Sequence, residues 1–180
     1  APQFVTGSFA PHHAFLPDDE YGRALDALVK AVSDVLITSE DGSQVYLGRR
    51  SVEPQPDWWY VGGRARPGET TQQAAARNAR RELGIDLEAA RFEVIANYSF
   101  VWGTRQQPPA AHGTADISTV HRLTLRPEEI ERIALDEKEY SDARWFPVEA
   151  VLEGEFHPAL KQAIRDLRAK TAYAELERLV

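Results

Sequence analysis

Residues 58–85 read WWYVGGRARPGETTQQAAARNARRELGI, and this stretch decides the fold of the chain. An aromatic strand ends at a pair of glycines, and a loop with two arginines and a Pro-Gly turn follows it. Thr70 is the expected N-cap of the next helix, and Gln73 completes a capping box. Gly84 supplies the left-handed residue that ends many helices. The stretch therefore predicts a strand, a loop and a helix in direct succession.

At 100° per residue, the predicted helix places Asn78, Arg81 and Glu82 on one face, beside an alanine-rich apolar stripe. The small alanines allow the helix to approach a sheet closely. Glu82 is the one carboxylate on the polar face. Mg²⁺ prefers several oxygen ligands and usually keeps water and substrate phosphates in its shell. The pattern therefore excludes a site for several metal ions and leaves open a single ion bound by Glu82 and ligand phosphates.

The residues Gly63, Glu69, Arg77, Glu82 and Gly84 have the spacing of the Nudix box, so the chain resembles the Nudix hydrolases. That family hydrolyses nucleoside diphosphates linked to another group. The resemblance implies an α+β fold, an α/β/α sandwich in which a mixed β-sheet lies between helices. The order of predicted elements, in which strands outnumber helices, agrees with this architecture.

The box is degenerate, because Asn78 and Arg81 stand where the Nudix pattern has glutamates. A box that keeps only its last glutamate resembles the GDP-mannose mannosyl hydrolase branch. Its members cleave nucleotide sugars at the sugar carbon instead of at phosphorus. The similarity extends over about residues 15–167 and includes the segments LGRR at 47–50 and DARW at 142–145.

The composition limits the class of protein. The chain has 180 residues, of which 43% are hydrophobic and 27% charged, as expected for one globular domain. It has no apolar run long enough for a membrane span, and its net charge of −7 argues against nucleic acids and anionic membranes as partners. The absence of cysteine excludes disulfides and fits a cytoplasmic location. The arginines from Arg49 to Arg81 suit a small phosphorylated ligand, with plain surface charge as the alternative.

The predicted elements divide the chain into an N-terminal tail, residues 1–13, and a single domain, residues 14–180. The domain is expected to begin with a helix after Pro17 and to end with a helix from His157 to about Val180. The family uses its first segment in dimer contacts, so the resemblance also implies a homodimer. Strands are predicted at 34–38, 44–47, 58–61, 92–102, 115–125 and 143–147, a short helix at 127–133 and a flexible loop at 105–112.

The resemblance implies a single Mg²⁺ site, with Mn²⁺ as an alternative ion. Its ligands would be a turn carbonyl at Gly62, the carboxylate of Glu82 and an oxygen of Glu139. Glu139 falls where the family keeps a side-chain ligand. The run of acidic residues around Glu139 is also typical of a solvated loop, and that alternative stays open.

The ligand implied by the resemblance is a small nucleotide derivative. Asp34 matches an acid that contacts the nucleoside, and Arg50, Arg64 and Arg77 are the expected partners of the phosphates. For Asp34 the alternative is a role in capping or in a turn, and for Arg50 it is a surface charge.

Three further motif residues are expected to be structural. Glu69 should pair with Arg77 and fix the loop against the helix. Gly63 belongs to the turn before the loop, and Gly84 ends the helix.

The catalytic candidates are Glu82, Glu139 and Tyr140. Tyr140 stands where the mannosyl hydrolases carry the histidine that acts as general base. A tyrosine with an ordinary pKa of about 10 is protonated at neutral pH and can only donate. Glu139, Asp142 and His112 are the alternatives for the base.

Two functions from different classes follow. The first is a Mg²⁺-dependent hydrolase of a nucleotide sugar or related nucleoside diphosphate derivative, in which water attacks the anomeric carbon while the metal stabilises the leaving group. The second is a catalytically inactive Nudix-like domain that binds a nucleotide as a sensor or partner module. The hydrolase requires Glu82 to be open to a cation. If Glu82 is buried in the core, or if Arg81 pairs with it where the ion should bind, the second function remains.

Overall fold

The computed structural model describes residues 3–169, which form seven strands and five helices. Two single turns of 3₁₀ helix, Ala89–Arg91 and Ala110–His112, lie in connections. The elements are α1 Asp18–Ala27, β1 Lys30–Thr38, β2 Gln44–Arg50, β3 Trp58–Trp59, β4 Val61–Arg64, α2 Thr71–Leu83, β5 Glu93–Trp102, β6 Thr114–Thr124, α3 Pro127–Ile130, β7 Tyr140–Pro147, α4 Val148–Glu153 and α5 Pro158–Ala169.

The strands form one mixed sheet in the order β3-β2-β1-β6-β5, with β4 paired to β1 and β7 paired to β2. Only β1 and β6 run parallel among the described pairs. One edge of β1 is shared by two partners, because residues 32–35 pair with β4 and residues 37–38 pair with β2. The sheet therefore divides beside β1, and the glycine pair of β4 lies at this division.

Helices cover both faces of the sheet, which confirms the predicted α+β sandwich. Val35 and Ile37 of β1 pack with α2 in one apolar cluster, while Leu36 points to the other face and packs with α4 and α5. This alternation is the ordinary consequence of the two-residue period of a strand. Ala75 and Ala79 are fully buried against the sheet, as expected for a helix that packs closely.

The predicted ends of α2 are confirmed. The Thr70 hydroxyl accepts a hydrogen bond from the Gln73 N–H at 3.2 Å, and the Gln73 side chain accepts one from the Thr70 N–H at 2.9 Å. Gly84 ends the helix with φ of 69° and donates its N–H to the Arg80 carbonyl at 3.1 Å. The helix is therefore fixed at both ends by local sequence.

Several predicted boundaries were wrong. The aromatic stretch 58–61 forms two short strands with different partners, because β3 pairs with β2 and β4 pairs with β1. The first strand begins at Lys30 instead of residue 34, so Asp34 lies inside it. Helix α4 was not predicted. The C-terminal helix is described as far as Ala169, and the rest of its predicted length lies outside the described residues.

Residues 3–17 precede α1 without helix or strand. The Gln3 side chain donates to the Gly68 carbonyl at 2.9 Å, so part of the predicted tail contacts the loop before α2. The division into a tail at 1–13 and a domain at 14–180 stays a prediction. None of the helices between residues 3 and 169 combines the length and the apolar character that crossing a membrane requires.

Replacing Thr70 by alanine is expected to lower the free energy of unfolding by about 1 kcal/mol, because the N-terminal end of α2 loses a side-chain acceptor. Urea denaturation measures this change. Thr70→Ser keeps a hydroxyl and should retain most of the stability. An alanine variant as stable as the wild type would contradict the role of the cap.

Candidate functional site

The loop before α2 is held by an ion pair that the sequence predicted. Arg77 Nε lies 2.6 Å from Glu69 Oε1, and Arg77 Nη2 lies 2.8 Å from Glu69 Oε2. The same guanidinium also donates to the Arg64 carbonyl and to Asn78 Oδ1. Burial alone would raise the pKa of Glu69, but the hydrogen bonds from Arg77 and from the Arg66 N–H hold that pKa below its ordinary value. All three nitrogens of the Arg77 guanidinium are therefore engaged within the protein, which supports a structural role, and its expected contact with the substrate stays a prediction.

Asn78 fixes the glycine turn to α2. Its side chain is fully buried and donates to the Gly63 carbonyl at 2.9 Å. A Cβ at Gly63 would lie 3.4 Å from Asn78 Oδ1 and 3.3 Å from Arg81 Nη2. The turn therefore passes so close to two side chains of the helix that glycine fits best.

The carboxylate of Glu82 is completely buried and accepts hydrogen bonds from three groups. The Gly62 N–H lies 3.1 Å from Oε2, the Tyr140 hydroxyl donates to the same oxygen, and Arg81 Nη2 donates to Oε1. Burial raises the pKa of Glu82, and the contacts with Tyr140 and Arg81 offset part of this rise. Glu82 thus serves as an anchor between α2, β4 and β7.

Tyr140 occupies a position prepared by the sheet. Strand β7 pairs with β2, and a Cβ at Gly48 of β2 would lie 2.5 Å from the Tyr140 ring. Burial and the neighbouring Glu82 raise the pKa of Tyr140 well above its ordinary value. The hydroxyl therefore stays protonated and donates a hydrogen bond to Glu82. A protonated hydroxyl cannot accept a proton from water, so Tyr140 does not act as a general base.

Arg81 lies between two carboxylates. Its Nη2 bonds Glu82 Oε1 and is 3.9 Å from Glu139 Oε1. The Glu139 side chain is 30% exposed and the Arg81 side chain is 47% exposed, so both reach solvent while Glu82 does not. A positive guanidinium therefore stands between the two acids expected to bind a metal ion.

The residues around Glu82 do not fit a Nudix metal site. Both carboxylate oxygens already accept hydrogen bonds, and Gly62 contributes its N–H, rather than its carbonyl, to this contact. Within the described part of the chain, no group of three or more His, Asp or Glu side chains could hold a metal ion. The predicted site of Gly62, Glu82 and Glu139 thus lacks an open ligand at Glu82, because Arg81 already balances the charge of that carboxylate.

Asp34 lies in the middle of β1, not at its start. It is buried and pairs with Gly62 of the glycine turn in the sheet. Ser118 of β6 donates to Asp34 Oδ2 at 2.6 Å, and a Cβ at Gly62 would lie 2.7 Å from Oδ1. Burial raises the pKa of Asp34 to about 7, while Ser118 and Arg50 offset part of the rise. The capping or turn role is excluded by this position.

Sequence reasoning missed the polar residues of β6 that accompany Asp34. Asp116 is buried, with Oδ1 3.0 Å from Lys30 Nζ and Oδ2 2.8 Å from Trp102 Nε1. Ser118 is fully buried. Both residues occur at alternate positions and thus share one face of the strand, which is a signal that the sequence contains.

Two expected phosphate-binding arginines keep free donors. Among residues 3–169, the Arg50 side chain has no hydrogen bond or ion pair, and its Nε is buried without a partner. Buried polar groups are normally satisfied, so such a guanidinium is suited to an anion. The Arg64 guanidinium lies over the Tyr21 ring, 5.0 Å from its centroid, on the exposed side of the turn.

The alternative bases are engaged elsewhere. His112 Nδ1 lies 3.1 Å from both oxygens of Asp26 in α1, and the buried Arg105 donates to the same carboxylate at 2.6 Å. The loop 105–112 is therefore fixed to α1 by these contacts. Asp142 pairs with Arg144 on β7. Glu139, whose side chain is 30% exposed, is the remaining candidate for the base.

The fold and this motif agree with a comparison of families. The model of the NUDIX domain matches residues 28–167. The chain belongs to the NUDIX domain family. Nudix hydrolases act on nucleoside diphosphate derivatives and generally use divalent metals such as Mg²⁺. A search among curated proteins finds no match.

Solved structures show the same Nudix fold. The MutT protein from Methanosarcina mazei Go1 is 21% identical, with a TM-score of 0.61, over 79% of this chain and 96% of its own. The E. coli dihydroneopterin triphosphate pyrophosphohydrolase is 23% identical, with a TM-score of 0.59, over 80% and 99%. A C. elegans Ap4A hydrolase is 16% identical, with a TM-score of 0.54, over 81% and 100%. These similarities do not single out the GDP-mannose branch.

The pKa of Asp34 predicts a pH-dependent stability. Its folded value of about 7 exceeds the ordinary 3.8, so between these pH values folding binds a proton and stability falls as pH rises. Asp34→Asn removes this dependence. The stability of the variant relative to the wild type should rise by about 2–4 kcal/mol between pH 4 and pH 8 in urea denaturation.

Asp86→Asn is the matched control, because the Asp86 side chain is 77% exposed. Its stability relative to the wild type should change little with pH. If the difference between Asp34→Asn and the wild type is also independent of pH, Asp34 is not a neutral acid in the folded protein.

Proposed function

We propose that this Nudix domain binds a nucleoside diphosphate derivative, such as a nucleotide sugar, as a sensor or partner module, without metal-dependent hydrolysis. The observation that carries the proposal is the burial of Glu82, whose two carboxylate oxygens accept hydrogen bonds from Arg81, Tyr140 and Gly62. This carboxylate is fully buried, so a metal ion could reach it only by displacing the Arg81 guanidinium. The family's usual Mg²⁺ or Mn²⁺ chemistry therefore lacks its main protein ligand here.

The binding role is supported by the parts of the motif that remain intact. The Glu69–Arg77 ion pair and the Asn78–Gly63 hydrogen bond hold the loop and the turn rigidly against α2. A preorganised loop reduces the entropy lost when a ligand binds. The scaffold of a Nudix ligand site is thus retained, while its catalytic carboxylates are replaced.

The charges of the site suit a diphosphate. Arg50 has an unpaired guanidinium beside Asp34 and Tyr140, and Arg64 presents its guanidinium at the exposed end of the turn. A guanidinium can bind two phosphate oxygens at once through its planar set of donors. In an acidic protein with a net charge of −7, these arginines form a local site for a small anion.

A second candidate is metal-independent hydrolysis of a nucleotide sugar at the anomeric carbon. It is favoured by the partly exposed carboxylate of Glu139, which lies 3.9 Å from the Arg81 guanidinium. In this reaction Glu139 removes a proton from water, the water oxygen bonds to the anomeric carbon, and the bond from that carbon to the diphosphate oxygen breaks. The nucleoside diphosphate leaves with the electron pair, and nearby arginines stabilise its charge.

The two candidates differ in turnover. We expect GDP-mannose, UDP-glucose or ADP-ribose to bind in calorimetry and to remain intact in chromatography, with Mg²⁺ or with EDTA. Turnover that requires Mg²⁺ and is lost in Glu82→Gln would contradict the proposal. Turnover in EDTA that is lost in Glu139→Gln would establish the second candidate, and solvent ¹⁸O in the released sugar would show attack at carbon.

Removal of the Arg50 charge tests the binding role. Arg50→Gln is expected to weaken binding of the nucleotide ligand by about 10- to 100-fold, because a hydrogen bond to a charged group contributes about 1.5–3 kcal/mol. Arg49→Gln is the matched control, since Arg49 is the exposed neighbour on β2 and carries the same charge. Equal affinities of the two variants would exclude Arg50 from the site.

A further inference from the structure

The Arg81 guanidinium is positioned like a bound cation. Its Nη2 bonds Glu82 Oε1 and lies 3.9 Å from Glu139 Oε1, so one positive charge faces both acids. Arginine keeps this charge at every pH at which the protein is folded. The charge is therefore a fixed part of the site and does not depend on the concentration of any ion.

The glycine turn fits this position of the guanidinium. A Cβ placed on Gly63 would lie 3.3 Å from Arg81 Nη2. Any residue larger than glycine at this position would therefore press on the guanidinium. The Arg81 guanidinium thus lies near the turn and bonds Glu82. A side chain already oriented by such a bond loses less entropy when it binds a ligand.

The other donors of Arg81 have no hydrogen-bond partner among the described residues. The bond to Glu82 and the approach to Glu139 both use Nη2, and the described residues accept no hydrogen bond from Nε or Nη1. The side chain is 47% exposed, so these donors are accessible from solvent. A guanidinium with one engaged edge and one free edge can bind phosphate oxygens on the free edge.

We propose that Arg81 replaces the divalent cation of the Nudix site and binds the phosphates of the ligand, so that ligand binding needs no metal ion. This inference rests on the proposed function, because it concerns how the same site holds a nucleoside diphosphate. Arg81 balances Glu82 and Glu139 on one edge and attracts the diphosphate on the other. In a Nudix site that uses a metal, a Mg²⁺ ion would make both contacts.

Calorimetry with GDP, ADP, UDP and inorganic pyrophosphate tests this inference. The wild type is expected to bind its preferred probe in EDTA with an affinity within about twofold of that in Mg²⁺. Arg81→Gln should weaken binding in EDTA by about tenfold or more, because the phosphates lose a charged partner. Arg81→Lys keeps the charge and should recover part of the affinity.

Arg80→Gln is the matched control, because Arg80 lies next to Arg81 on α2 with its side chain 68% exposed and pairs only weakly with Asp86. It should change the affinity by less than about twofold, since a surface charge contributes little. Thermal unfolding of each variant checks that the fold is kept. Glu139→Gln supplies a second measurement if Arg81→Gln does not fold. The Glu139→Gln variant removes one carboxylate that competes with the ligand phosphates for Arg81. The affinity for the probe in EDTA should therefore rise or stay equal.

The outcomes separate this inference from the proposed function. Binding that EDTA abolishes and Mg²⁺ restores would overturn the metal-independent role of Arg81 while the binding function stands. Equal affinities of Arg81→Gln and Arg80→Gln in EDTA would also overturn it, as would a large loss of affinity in Glu139→Gln. Failure of every nucleotide probe to bind with or without Mg²⁺ would overturn the proposed function itself.

Discussion

The buried carboxylate of Glu82 connects three parts of the molecule that the sheet alone leaves separate. The Gly62 N–H of β4, the Tyr140 hydroxyl of β7 and the Arg81 guanidinium of α2 all bond to it. Burial of an unpaired charge is unfavourable, so each of these donors is needed to keep Glu82 in place. The position of the glycine turn relative to the end of α2 depends on this contact, and the loop before α2 continues from that turn.

The departures from the Nudix box form a consistent set. A carboxylate at this position in a metal-dependent site is balanced by a cation, whereas here it is balanced by Arg81 and by a tyrosine hydroxyl. The buried Tyr140 has a raised pKa, so its hydroxyl stays protonated and donates a hydrogen bond to Glu82. Asn78, where the Nudix pattern has a glutamate, donates a hydrogen bond to the Gly63 carbonyl. The backbone arrangement of the Nudix motif is thus present, and the positive charge next to Glu82 comes from the Arg81 side chain.

Local chemistry explains what the sequence could predict. The capping box at Thr70, the end of α2 at Gly84 and the Glu69–Arg77 pair involve residues close together in the chain, and all three are present. The division of the aromatic stretch into β3 and β4 depends on two distant partners, so periodicity alone could not reveal it. The direction of the Arg81 side chain depends on Glu82 and Glu139 together. The fold was therefore predictable, while the chemistry of the site was decided by tertiary contacts.

The most direct test is a crystal structure of the protein soaked in Mn²⁺, with anomalous diffraction used to locate the ion. We expect the Arg81 guanidinium in contact with Glu82, the Tyr140 hydroxyl on the other carboxylate oxygen, and no anomalous peak within coordination distance of Glu82. An anomalous peak bound by Glu82 and Glu139, with the Arg81 side chain turned toward solvent, would contradict the account. In that case the protein would keep a metal site that the guanidinium only covers.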